Sequence, residues 1–134
     1  MPAPIRRLNP AGLDAPPAYS QVVEVHAGRI IFVAGQTALN QEGELVGKND
    51  FAAQAAQVFR NLDIALESVG CTAGNLVKLT VFLRDMNNLQ LYREARNRFF
   101  ASTSPPAAPA ITLVEVSRLY GPGFMIEIEA IAAA

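Results

Sequence analysis

The sequence predicts an α+β subunit: one mixed β-sheet with two helices on a single face. Three observations predict it. Apolar residues recur at three- and four-residue steps over 51–69 and again over 89–100, the spacing of one helical face. Other stretches, clearest in 76–83 and 124–132, alternate with period two, which sends successive side chains to opposite sheet faces. Glycine- and proline-bearing segments punctuate the two kinds of stretch. The resulting order is β-β-α-β-α-β-β.

Taken in order, residues 1–18 form a polar lead-in carrying Pro2, Pro4, Pro10, Pro16 and Pro17. Residues 20–26 alternate Val23 and Val25 with Glu24 and His26, as a first strand would, and Ala27-Gly28 signals a turn. Ile30, Ile31, Phe32 and Val33 make a second, apolar strand ending at Gly35-Gln36, and the two pair as a hairpin. A polar loop over 37–48 follows. Asp50 is the expected N-cap of the first helix, because its carboxylate can accept from backbone N–H groups that lack helical partners. Phe51, Ala55, Val58, Phe59, Leu62, Ala65, Leu66 and Val69 form the apolar stripe; Gln54, Gln57, Arg60, Asp63 and Glu67 lie on or near the other side. Gly70 suits the C′ position.

Leu76–Leu83 is the next strand, parallel to the strand before the helix by the usual right-handed crossover. A shorter helix spans Leu89–Phe100, with Leu89, Tyr92, Ala95 or Arg96, Phe99 and Phe100 inward. Ser104-Pro105-Pro106 and Pro109 exclude helix or central strand there. The chain closes with Ile111–Leu119 and Phe124–Ala132, expected as a hairpin across Gly121-Pro122-Gly123. Ile126, Ile128 and Ala130 mark its inner face, and Glu127 and Glu129 project from the other. That helix-free face must be solvated or covered by a partner.

The 134 residues suit one domain, 1–134, with one core. Hydrophobic residues make up 51% and charged residues 17%, an apolar excess for a small monomer that points to a subunit interface. The net charge is −1 with no run of like charges, which argues against a nucleic-acid partner needing a basic patch. Cys71 is alone, so no intrachain disulfide forms, and a lone reduced thiol fits a cytoplasmic setting. One His and one Cys without further ligand pairs argue against a built-in zinc site. Arg6-Arg7 is followed by polar residues and prolines, not by the apolar run of a signal peptide, and no apolar run reaches membrane-spanning length.

Several segments together resemble the YjgF/YER057c/UK114 (RidA, reactive intermediate deaminase) family over residues 19–132. They are Gly35-Gln36 after an apolar strand, Ala65-Leu66-Glu67-Ser68-Val69-Gly70, the run from Val77 to Met86, and Phe99-Phe100 before a proline loop. Val114-Glu115-Val116-Ser117-Arg118-Leu119 and Glu127-Ile128-Glu129-Ala130-Ile131-Ala132 complete the set. The resemblance implies a chorismate-mutase-like fold and a homotrimer. Three sheets would form a central barrel, with small-molecule ligands in clefts between subunits. It implies hydrolysis of reactive enamines and imines, such as 2-aminoacrylate, to a 2-keto acid and ammonia without a cofactor. Endoribonuclease activity is also attached to family names. The acidic balance and the lack of a basic-aromatic surface argue against it here.

By the same resemblance Glu127 matches the acid that positions the attacking water, Tyr19 a tyrosine of the cleft wall, and Gly35 a point of close backbone approach. The alternatives from the residues alone are a solvated or ion-paired strand carboxylate for Glu127, a packing tyrosine for Tyr19 and a strand-end glycine for Gly35. Glu129, two residues along the same strand face, is a lesser candidate. The departure is at Ile111. Deaminating members carry an arginine three residues before Val-Glu-Val, where it grips the substrate carboxylate as a bidentate fork. Here that position is Ile111, and no arginine lies between Phe100 and Arg118. Arg118 is about 23 Å further along an extended strand. Arg93 or Arg96 are candidates to enter from a neighbouring subunit. Ile111 and Leu113 would make the cleft floor apolar, or are plain core. His26 and Cys71 are read as bystanders. The resulting expectation is a RidA-like hydrolase with an altered substrate, against a non-catalytic binding or interaction module on the same fold.

Overall fold

The computed structural model describes residues 4–26 and 28–134. Its elements are β1 (Ile5–Leu8), β2 (Val22–Val25), β3 (Ile30–Gln36), α1 (Phe51–Glu67), β4 (Leu76–Leu83), α2 (Leu89–Phe100), β5 (Ala110–Glu115) and β6 (Ile126–Ala133). The α+β class and the two helices are as the sequence predicts. A four-stranded sheet has the order β3-β6-β4-β5. β6 is antiparallel to both β3 and β4, so β3 and β4 run in the same direction with β6 between them, and β4 and β5 are parallel neighbours.

Three pairings differ from the sequence-based expectation. The lead-in contains β1, which pairs antiparallel with β2. Its prolines flank Ile5–Leu8 and do not interrupt it. The hairpin expected between β2 and β3 does not form, since β2 goes to β1 and β3 to β6. The Ala27 half of its expected turn lies outside the described residues. The closing hairpin does not form either. Gly121-Pro122-Gly123 does turn, but the first strand stops at Glu115 and β4 lies between β5 and β6. A short turn between two alternating segments suggests local pairing. The parallel register of β4 with β5, built over the α2 crossover, outweighs it.

The core lies between the sheet and the helices. Leu79, Val81 and Leu83 of β4 and Ile126, Ile128 and Ala130 of β6 meet Val58, Leu62 and Leu66 of α1 and Tyr92 and Ala95 of α2. Cutting Leu62 back to Ala would cost about 2–5 kcal/mol, as cavities in such cores do. Asp50 caps α1 by accepting from the Ala53 N–H, and Gly70 follows the helix at φ 74°. Phe59 joins the helices through Phe99 (ring centroids 5.1 Å) and Tyr92 (6.3 Å).

Gln54 departs from its expected outer position and is fully buried. Its amide donates to the Gly47 and Gly123 carbonyls at 3.1 and 2.9 Å and accepts from the Met125 N–H at 2.9 Å. Its side-chain amide thus replaces water for backbone groups of two loops, and it ties the segment entering β6 to the start of α1.

Candidate functional site

Glu127 sits one residue into β6, opposite Phe82 of β4. Its neighbours Ile126 and Ile128 are buried, so alternation places it on the helix-free face. Across from it β3 is irregular. Val33 pairs with Ala130 but Gln36 with Ile128, so three steps on β3 answer two on β6. Such a bulge re-aims the local backbone. Gly35 lies in it, and the Glu127 carboxylate rests where a side chain on Gly35 would be. A Cβ there would overlap Oε2 and lie 2.9 Å from Cδ. Gly35 has no positive φ; what it supplies is space for the carboxylate.

The Glu127 carboxyl is raised above the ordinary carboxylate range, first by partial burial and then by the like charge of Glu129. The ion pairs among the described residues are Arg6–Glu24 and His26–Glu24, so neither carboxylate is neutralised by a salt bridge there. Lys78, on the neighbouring strand β4, donates to the Thr112 hydroxyl at 2.7 Å.

Gly35 also opens onto a cavity of about 780 Å³ between the 36–42 loop, α1 and Tyr120. Tyr120 is 70% exposed yet held: its hydroxyl is 2.7 Å from Thr37 Oγ1 and its ring stands edge-on to Phe124. Thr37 is buried, and its carbonyl receives the Asn61 amide at 3.0 Å. The sequence reading missed Tyr120 and Thr37. Tyr120 lies 83 residues from Thr37, and only the return of the chain after β5 brings them together.

Tyr19, Ile111 and Leu113 meet elsewhere. They line a cavity of about 230 Å³ together with Leu89, Tyr92, Arg93 and Arg96 of α2. Ile111 and Leu113 are opposite Leu79 and Val81, on the helix side of the edge strand β5. Gly35 is on β3, the other edge, and Glu127 is on the other face. The sequence-predicted site residues therefore fall into two groups within one chain: Glu127 with Gly35, and Tyr19 with Ile111 and Leu113. Arg93 and Arg96 reach the second group from the same chain, where the sequence suggested a neighbour. Cys71 is buried, and His26 is exposed at 2.8 Å from Glu24. Among the described residues no three His, Cys, Asp or Glu side chains gather as a metal site requires, and no helix is long and apolar enough to cross a membrane.

The helix-free face carries its own unfilled surface. Phe32 is 76% and Ile30 49% exposed. Phe32, Lys78, Thr80, Glu129 and Ile131 line a hollow of about 490 Å³ there.

Comparison with known proteins places this geometry. The family model described as Endoribonuclease L-PSP matches residues 11–134. A RutC family protein of Pyrococcus abyssi is 40% identical over 115 residues, covering 85% of this chain and 84% of its own. The 2-iminobutanoate/2-iminopropanoate deaminase of Escherichia coli is 37% identical over 121 residues, covering 89% and 91%. Among solved structures, a Rid-family protein of unknown function from Yersinia pestis superposes with a TM-score of 0.88 at 32% identity, covering 98% of this chain and all of that one. The matching family model, these relatives and the fold itself agree: the chain belongs to the YjgF/YER057c/UK114 (RidA) family.

Proposed function

We propose that the protein is a cytoplasmic, homotrimeric hydrolase that converts a small enamine or imine to the carbonyl compound and ammonia. One observation carries the reading: a carboxylate with a raised pKa, without a salt bridge among the described residues, seated over the side-chain-free Gly35 beside a cavity of about 780 Å³. The Escherichia coli relative, named as a deaminase of 2-iminobutanoate and 2-iminopropanoate, supports the reaction class.

The chemistry needs one water and one proton carrier. The ionised Glu127 accepts a proton from water as the hydroxyl adds to the C=N carbon of the protonated imine, giving a neutral carbinolamine. Glu127 returns that proton to nitrogen, and as the C–N bond breaks the carbinolamine hydroxyl gives its proton to the departing ammonia, leaving the carbonyl compound and ammonium. A carboxyl raised towards the working pH suits both directions of transfer. Tyr120 and Thr37 border the same cavity and orient what enters it.

Gly35 and Ile111 are on opposite edge strands of the sheet, and Glu127, on the inner strand β6, faces away from the side of Ile111 and Leu113, so a cleft containing both groups draws on a second copy of the chain. The exposed Phe32 and Ile30 and the hollow beside Thr80 and Glu129 suit burial of the helix-free face in a closed, symmetric oligomer. With Ile111 in the clamp position, the substrate differs from 2-aminoacrylate or is held by other groups.

The test is ammonia release from freshly generated imines with and without an α-carboxylate, using wild type, Glu127→Gln and Ile111→Arg. Turnover that disappears in Glu127→Gln, with the oligomer unchanged in light scattering, is the expected result. No turnover of any imine, with ligand binding retained, would instead favour a binding or interaction module on the same fold.

A further inference from the structure

We infer that Arg93 and Arg96, projecting from α2 into the cavity of Tyr19, Ile111 and Leu113, form an anion-binding subsite that takes the carboxylate of a small imino or keto acid. The inference rests on the hydrolase reading and names how its substrate is held. Two guanidinium-bearing residues one helical turn apart line one small cavity with apolar walls. Such a pairing grips planar carboxylates strongly because the fork geometries match and the surroundings exclude part of the water.

The two arginines differ in how they are held. Arg96 is fixed: Nε and Nη2 donate to Asn97 Oδ1 at 3.2 and 3.1 Å, and its guanidinium lies 5.6 Å from the Tyr92 ring centroid. Arg93 is exposed and takes part in no salt bridge among the described residues.

Tyr92 adds an independent sign of a missing ligand. It is buried, it lines this cavity, and among the described residues its hydroxyl has no partner in hydrogen-bond geometry. Leaving a buried hydroxyl unpaired costs about 1–3 kcal/mol, so a native fold rarely keeps one idle. Burial pushes this phenol up to about 12, an effect that Arg96 and Arg93 partly oppose. It therefore stays a proton donor at neutral pH, ready for an acceptor oxygen. A cavity of about 230 Å³ has room for the carboxylate of a small acid.

The experiment is calorimetric titration with 2-oxobutanoate and, as a neutral control, 2-butanone. It uses wild type, Arg93→Gln, Arg96→Gln, the double variant and Glu127→Gln. Wild type and Glu127→Gln are expected to bind the keto acid, more weakly at higher salt. The double variant is expected to lose ten-fold or more in affinity for the acid and nothing for the ketone. Adding Ile111→Arg to the double variant should restore acid binding, because that side chain enters the same cavity. Circular dichroism and light scattering establish that each variant is folded and assembled. Undiminished binding of 2-oxobutanoate in the double variant, or no binding in wild type, overturns the subsite. Because binding is read without turnover, an inactive wild type that still shows the arginine-dependent loss would sink the hydrolase reading alone. Full imine turnover in the double variant would sink the subsite alone.

Discussion

The two ends of the sheet are built differently. Near the β3 edge the candidate site is built from backbone: a bulge, a glycine without a side chain and a carboxylate lying over it. Tyr120 and Thr37 hold each other beside it, and Gln54 ties down the loop that leads into β6. At the β5 edge the candidate site is built from side chains: two strand residues that are apolar, and two arginines and a tyrosine from α2. The first end can move a proton, with Arg60 of α1 as a cation on its cavity wall. The second can hold an anion but has no carboxylate to activate water. On the proposed reading, the difference means that a single chain carries two half-sites of complementary chemistry and that assembly is part of the mechanism.

The sharpest way to break the comparison is Glu127→Gln. Removing the proton carrier should lower kcat for imine hydrolysis by about 10²–10⁴ while leaving 2-oxobutanoate affinity at the other end intact. An active variant would remove Glu127 from the chemistry. Gly35→Ala comes next. The three atoms nearest the new methyl group all belong to the flexible Glu127 side chain, whose carboxylate can swing away, so the fold should survive with little change in Tm. The carboxylate must move, however, and a displacement near 1 Å can cost about 10²-fold in rate. Unchanged kcat would mean that the close approach of Glu127 to Gly35 has no part in turnover.

Gln54→Leu probes stability at the same end. It leaves the Gly123 carbonyl and the Met125 N–H without their partner, at about 1–3 kcal/mol for each group that water cannot reach, and takes one of two donors from the Gly47 carbonyl, which keeps the Asp50 N–H. Chemical denaturation should show a loss of that order, with kcat falling more than acid affinity. The smallest effect is that of Glu129→Gln. Glu129 is the lesser of the two causes that raise Glu127. In wild type, kcat/KM should climb with pH through a limb above the ordinary carboxylate range, because water activation needs the ionised form. In the variant that limb should move to lower pH without reaching the ordinary range, since burial remains. A limb that does not move would mean that the two carboxylates do not interact.

Much of this was legible in the sequence. The α1 stripe, the Asp50 cap and the alternation that puts Glu127 outward all follow from local periodicity, and β4 and α2 appear with the expected bounds. Strand pairing was not legible. Two hairpins suggested by short turns gave way to β1–β2, β3–β6 and an interposed β4, because partners remote in sequence satisfy more of the sheet. Gln54 was misplaced because helical periodicity records which face a residue is on, not that a buried amide can serve three loop groups. The relation of Arg93 and Arg96 to Ile111 depends on how α2 packs over β5, which no spacing along the chain encodes. Ile111 read alone implies a lost clamp. Beside α2 it is one wall of a cavity that carries cations from another element.

The account's central claim, that the two half-sites complete one another between copies, is tested most directly by subunit mixing. Glu127→Gln carries one broken half, and the double variant Arg93→Glu/Arg96→Glu carries the other. Each alone should be nearly inactive towards 2-iminobutanoate. Unfolded together in equal amounts and reassembled, they should regain up to about a quarter of wild-type activity, since in a closed ring each cleft draws one half from each of two neighbours at random. Activity that stays at the average of the two separate variants, in oligomers shown to be mixed, would contradict the claim and place a complete site within one chain.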